Sequence, residues 1–298
     1  MKLGIFAIKL IISKLAREVR KRKKSWPNPL QYRPRPDVDA LGDGVFEHQF
    51  DIYYAKEETP KKGTIVDIHG GAYLFGNRKH NFGYAAVFLE KGYDVVLLDY
   101  QPNNGVSDCQ QQLQTVAKQL RYLFDHADEL GLDKERIYLF GDSAGGHFAL
   151  TIAEASCDPA YAKKLGINLK DISFRAAVVS CPVYDFEGMA ETSLLNDKAK
   201  KYMVGPPWND SEYKKLMSPK LHLSSLNIPV FLSSCRNDFI KAESLALDAD
   251  AKAAGKNLTF LFLETKDRSV AHVHNVIAPT LPESVEVNDA AERFLDSL

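Results

Sequence analysis

A chain of 298 residues, 45% apolar and 26% charged, has ordinary globular composition and length enough for one large α/β domain or two small ones. Its formal net charge of −1 gives no electrostatic case for nucleic acid and favours a neutral or weakly charged small-molecule substrate. Cys109, Cys157, Cys181 and Cys235 stand singly, with no C-x-x-C pair and no histidine at metal-ligand spacing. Free thiols that hold no metal, in a reducing, cytoplasmic setting, are therefore expected.

Residues 1 to 26 carry nine basic side chains, from Lys2 to Lys24, against the single acid Glu18. They read as a basic amphipathic helix. Lys9 and Lys14 interrupt its apolar residues, which argues against a cleaved secretory signal, and no apolar stretch in the chain reaches the ~18 residues of a membrane span. Leu3, Ile5, Phe6, Ile8, Leu10, Ile11, Ile12 and Leu15 have three destinations open to them: a lipid surface with anionic headgroups under the lysines, the protein's own substrate entrance, or solvent. A Pro-rich connector follows, so 1–36 is separated here from a domain covering 37–298.

From there, short β-branched runs alternate with helical patterns, as in a mainly parallel sheet flanked by helices. Strands are expected over 45–54, 63–68, 93–100, 136–140, 175–181, 228–234 and 258–264, most with the continuous apolar core of strands covered on both faces. Helices are expected over 80–91, 107–130, 144–156, 241–254 and 283–297. The polar, Lys-rich stretch 184–225, with Pro206-Pro207-Trp208 inside it, is too long for a simple crossover. It reads as a small inserted cap with few long apolar runs.

The sharpest chemical signal is Gly141-Asp142-Ser143-Ala144-Gly145-Gly146, set between the apolar run 137–140 and a helical pattern. A nucleophile elbow needs this context: a strained serine between strand and helix, small residues on either side, and a helix N-terminus aimed at developing negative charge. Some seventy residues earlier, His69-Gly70-Gly71-Ala72-Tyr73 ends an expected strand. Amides of Gly70, Gly71 and Ala72, with that of Ala144, are candidates for an oxyanion hole.

Ester cleavage by such a serine also needs a base and an acid, in the chain order serine, acid, histidine. Asp238 follows the expected strand 228–234, and His272 and His274 both follow the last strand. Asp185 and Glu264, near other strand ends, are the fallback acids. An extended turn would point side chains 272 and 274 the same way, so spacing alone does not choose between the histidines.

With these residues in view, the chain resembles the α/β-hydrolase superfamily, and within it the hormone-sensitive-lipase-like esterases and carboxylesterases. The likeness spans roughly 60–298 and rests on the His69-Gly70-Gly71 turn, Asp99-Tyr100, the run from Asp133 to Gly146, Asp238 and the final histidine. The resemblance implies hydrolysis of carboxylic esters without a cofactor, and it favours His272, since the catalytic histidine there leads a short His-x-aromatic run. Two positions depart from the pattern. Ala72 stands where a third glycine is usual, and Gln101 where an arginine usually follows Asp-Tyr. Two alternatives are a peptidase or amidase on the same fold, and a non-catalytic ligand receptor, which would be expected to have lost a triad member.

Overall fold

The computed structural model describes residues 23–103, 107–188 and 196–298, together with 4–6, 9, 10, 13, 17, 20 and 21. Eight strands form one sheet: β1 (Arg35–Asp39), β2 (Gln49–Tyr53), β3 (Gly63–Ile68), β4 (Tyr93–Leu98), β5 (Ile137–Asp142), β6 (Ala176–Ser180), β7 (Val230–Cys235) and β8 (Leu258–Leu263). Their order is β1-β2-β4-β3-β5-β6-β7-β8. β2 pairs antiparallel with β1 and β4, and all later pairings are parallel. This is the α/β-hydrolase arrangement expected from the sequence.

β3, β4, β5, β6 and β7 are buried along their whole length, which is what their unbroken apolar runs require. Alternate residues feed two apolar clusters, so that Val66 and Ile68 enter one and Ile65 the other. On one face lie α2 (Cys109–Asp125), α3 (Ala144–Cys157) and α4 (Pro159–Leu165), and on the other α1 (Phe82–Leu89) and the long C-terminal helix. α5 (Asp197–Val204) and α6 (Ser211–Leu216) belong to the insertion, and α7 (Lys241–Ala253), α8 (His274–Ile277) and α9 (Pro282–Asp296) complete the set.

Two features were not expected from the sequence. β1 crosses the boundary drawn at residue 36, because Val38 and Asp39 pair with Phe50 and Gln49 in spite of the Pro-rich context. Pro36 is tolerated there because β1 is an edge strand, where a missing N–H breaks no ladder. α4 lies between α3 and β6 in a stretch read as connection; Pro159 at its first turn and the Asp158 side chain on the Ala160 and Tyr161 amides start it.

The insertion 184–225, of which 189–195 lie outside the described residues, is a series of short helices rather than a separate body. Phe186, Trp208, Tyr213 and Met217 are buried in the same cluster as α2 and α3. Asn103 Nδ2 donates to Met203 O (3.1 Å) and the Gln110 amide to Tyr213 Oη (3.3 Å), tying the insertion to the loop after β4 and to the start of α2. Most of the expected N-terminal helix lies outside the described residues. Of those described, Phe6 and Leu10 are exposed, and Lys9 Nζ lies 5.5 Å from the Tyr202 ring centroid on the insertion. Among the described residues no helix is long and apolar enough to cross a membrane.

Candidate active site

Ser143 lies between β5 and α3 with φ 51° and ψ −115°, a strained conformation for a residue with a Cβ. The local sequence makes it reachable. A Cβ on Gly145 would stand 1.9 Å from Ile68 O, and one on Gly141 would stand 2.4 Å from Gly145 O, so only glycine lets helix and strand approach this closely. The Ser143 amide is anchored on Ser180 O at 2.9 Å.

Three side chains from three strand ends meet in a line. Ser143 Oγ lies 2.9 Å from His272 Nε2, and His272 Nδ1 lies 2.7 Å from Asp238 Oδ1. Asp238 is further held by the Ile240 amide on Oδ1 (3.0 Å) and the Ser234 hydroxyl on Oδ2 (2.9 Å). Burial works against this carboxylate, but the His272 hydrogen bond and charge, with the Ile240 amide and Ser234, outweigh it and hold its pKa below the ordinary value. An anion facing Nδ1 fixes the tautomer that leaves Nε2 free to take the serine proton.

His274 is turned elsewhere. Val273 is left-handed (φ 50°), so the turn is not extended, and His274 is buried with Nδ1 2.9 Å from Ser284 Oγ. Burial pushes its pKa down to about 4. The fallback acids are also engaged away from His272, Asp185 with Lys220 (3.0 Å) and Glu264 with Arg236 (3.5 Å).

The glycine turn qualifies one expectation. The Gly70 amide donates to Asp142 Oδ1 at 2.9 Å, so it is not free to receive an oxyanion. Among the described residues, the amides of Gly71, Ala72 and Ala144 carry no protein partner. Gly71 (φ 132°), Ala72 (φ 53°) and Tyr73 (φ 63°) lie successively at positive φ, and the turn is closed by the Leu74 and Phe75 amides on Gly71 O. Tyr73 Oη then donates to His147 Nδ1 (3.0 Å), and His147 Nε2 donates to Met217 O (2.6 Å), which joins the turn, α3 and the insertion. Burial, partly opposed by that bond to Met217, lowers the His147 pKa to about 4 and keeps it the neutral ring this geometry needs.

Several groups around the site carried no sequence signal. Arg78, fully buried, bonds Asp51 (2.9 Å) and Asp99 (3.1 Å), and also Asp37. The guanidinium beside Asp99 thus comes from the loop after the glycine turn, and Gln101 contributes only its carbonyl, to Gln112. Phe239 is 68% exposed and its ring centroid lies 4.4 Å from that of His272. All four cysteines are free. Cys181, Asp238 and His272 offer donor atoms within 4.8 Å of one another, but burial pushes the Cys181 thiol well up and keeps it neutral, a poor ligand for a metal.

Comparison with known proteins agrees with this architecture. Over 217 residues (71% of this chain, 45% of the relative) the sequence is 28% identical to the probable carboxylic ester hydrolase LipM of Mycobacterium tuberculosis. Over 110 residues (36% of this chain, 22% of the relative) it is 30% identical to the probable isoprenylcysteine alpha-carbonyl methylesterase ICMEL1 of Arabidopsis thaliana. The chain thus spans less than half the length of these curated relatives. Among solved structures, esterase B of Lactobacillus rhamnosis superposes with a TM-score of 0.89 at 24% identity, covering 98% of this chain and 95% of that one. The carboxylesterase EstE1, from a metagenomic library, gives 0.74 at 20% identity, covering 97% of each. These likenesses show the α/β-hydrolase fold. The BD-FAE family profile matches residues 50–246, two thirds of the sequence, and the chain belongs to that family.

Proposed function

We propose that this protein is a serine hydrolase that cleaves carboxylic esters of small or medium acyl groups through an acyl-enzyme intermediate on Ser143. The observation that carries the reading is the unbroken line from Asp238 Oδ1 through both ring nitrogens of His272 to Ser143 Oγ. In the first half-reaction Ser143 Oγ attacks the ester carbonyl as its proton passes to His272 Nε2, and Asp238 stabilises the imidazolium. The tetrahedral oxyanion is received by the amides of Gly71, Ala72 and Ala144 at the positive end of α3. On collapse, His272 returns the proton to the leaving alcohol. In the second half-reaction His272 deprotonates a water, which attacks the acyl carbonyl, and the serine leaves with the proton.

The ester hydrolases among its relatives support this reaction class, and no step calls for a metal or an organic cofactor. A receptor that had abandoned catalysis would have no need to keep all three side chains in contact. Labelling with a fluorophosphonate probe, followed by a chain-length series of p-nitrophenyl esters, tests the assignment. Ser143→Ala is expected to abolish labelling and lower turnover by orders of magnitude with the fold intact. Turnover within about tenfold of the parent would overturn it.

A further inference from the structure

Beneath the glycine turn lie two carboxyl groups that the proposed reaction does not use. Asp142, next to the nucleophile, is buried, and its Oδ1 accepts from both the Gly70 amide (2.9 Å) and Asn81 Nδ2 (2.9 Å). Asp67, on β3, is also buried, and its Oδ2 accepts from the same Asn81 nitrogen at 2.8 Å. One amide nitrogen therefore bridges two acids. The remaining Asp67 oxygen, Oδ1, is buried with no hydrogen-bond partner. Two adjacent buried carboxylates, one of them with a bare oxygen, would be strongly unfavourable, whereas one anion and one neutral acid cost far less. Burial raises the pKa of both carboxyls, and donor counts separate them: the two N–H groups on Asp142 favour it as the anion and leave Asp67 as the acid.

We propose that Asp67 is a positioning residue for the oxyanion amides: by holding a proton beside Asp142, it keeps a single negative charge beneath the turn. That charge is spent on the Gly70 peptide, whose fixed orientation aims the next two amides, of Gly71 and Ala72, at the reacting carbonyl. Close packing supports the role, since a Cβ on Gly70 would stand 2.3 Å from Asp142 Oδ2. The groups facing the pair are Asn81, His69, Tyr84 of α1, Tyr100 and His272. His69 Nδ1 lies 2.7 Å from Gly70 O and Nε2 3.3 Å from Asp99 Oδ1, and the Asp99 contact raises its pKa against the effect of burial. Burial first, then the charge of Asp142, pushes the Asp67 pKa up to about 8. Above that pH a second anion would stand under the turn, opposing the oxyanion and driving the two acids apart.

The inference rests on the esterase reading, and the experiment separates the two. The pH dependence of kcat/KM for p-nitrophenyl butyrate is measured on the parent, Asp67→Asn, Asp67→Ser, Asn81→Ala and Asp142→Asn, each normalised by fluorophosphonate titration of active sites. The parent is expected to lose activity as pH rises past about 8. Either neutral replacement of Asp67 should remove that alkaline fall, and Asn81→Ala, which deletes a hydrogen bond favouring the charged forms, should move it to higher pH. Asp142→Asn should lower kcat/KM by ~10–100-fold, mostly in kcat, as expected when an oxyanion donor is misaimed. A purely structural role would change the titratable fraction and leave the limb in place. A parent without an alkaline limb, an unchanged limb in whichever Asp67 variant folds, or Asp142→Asn within twofold of the parent overturns the inference. A parent that the probe does not label overturns the esterase reading itself.

Discussion

At the scale of single residues, Asp238 and His272 share one hydrogen bond but make different demands. Asp238→Asn keeps the shape but removes the charge that opposes the imidazolium, and an amide nitrogen facing Nδ1 favours the wrong tautomer and gives up the Ile240 amide as a donor to the same atom. The expected outcome is a fall in kcat of ~10⁴ with little change in the unfolding midpoint, measured by steady-state kinetics beside urea denaturation. The two histidines of the 272–274 turn separate by a different measurement. His272→Ala is expected to abolish the acylation burst, and His274→Ala to keep most of it while lowering stability, because His274 is buried against Ser284 and 2.9 Å from its hydroxyl. A burst lost only in His274→Ala would exchange their roles.

Elements position these residues through close approach, and the elbow is the tightest case. Gly145→Ala would drive a methyl group into the Ile68 carbonyl at the end of β3, backbone that cannot rotate away. Loss of about 3 kcal/mol or more in urea unfolding is the expected result. Glycine at this point was legible in the sequence because a strand-to-helix turn around a serine admits little else, and for the same reason the positions of β3 to β8 and α3 follow the apolar runs closely. The turn at Val273 was not legible. Its left-handed backbone separates residues 272 and 274, and a β-branched valine does not announce that conformation. Nor was the commitment of the Gly70 amide to Asp142, which depends on a contact across 72 positions of sequence. Arg78 reaches Asp51 and Asp99 across 27 and 21 positions, and only the folded sheet brings that charge cluster together.

At the scale of the whole molecule, buried ionisable groups set how stability responds to pH. His80, His147 and His274 have pKa values lowered from 6.5 to about 4, chiefly by burial, so they are neutral in the fold and take up protons on unfolding as pH falls. Stability should therefore decline from about pH 6.5 to about pH 4, each of the three adding ~1.4 kcal/mol per pH unit at most. Asp238, whose folded pKa is depressed, adds stability above its unfolded value that is lost as pH falls through the folded one. Asp67 acts oppositely, since its folded pKa is raised: its contribution is full below the unfolded value of 3.8 and is lost as pH rises towards about 8. Asp142, Glu154 and Glu243, also raised by burial, act with Asp67, so urea midpoints across pH 4 to 9 read the balance of the two sets, and His274→Ala should make the acid side shallower than in the parent. The insertion carries a separate consequence for how such a protein can diverge. Phe186, Trp208, Tyr213 and Met217 fill the same cluster as the helices behind Ser143, so remodelling this segment disturbs the scaffold itself. Descendants of this chain should accumulate changes at the insertion's surface-facing positions, while its buried anchors stay under the constraint of foldability.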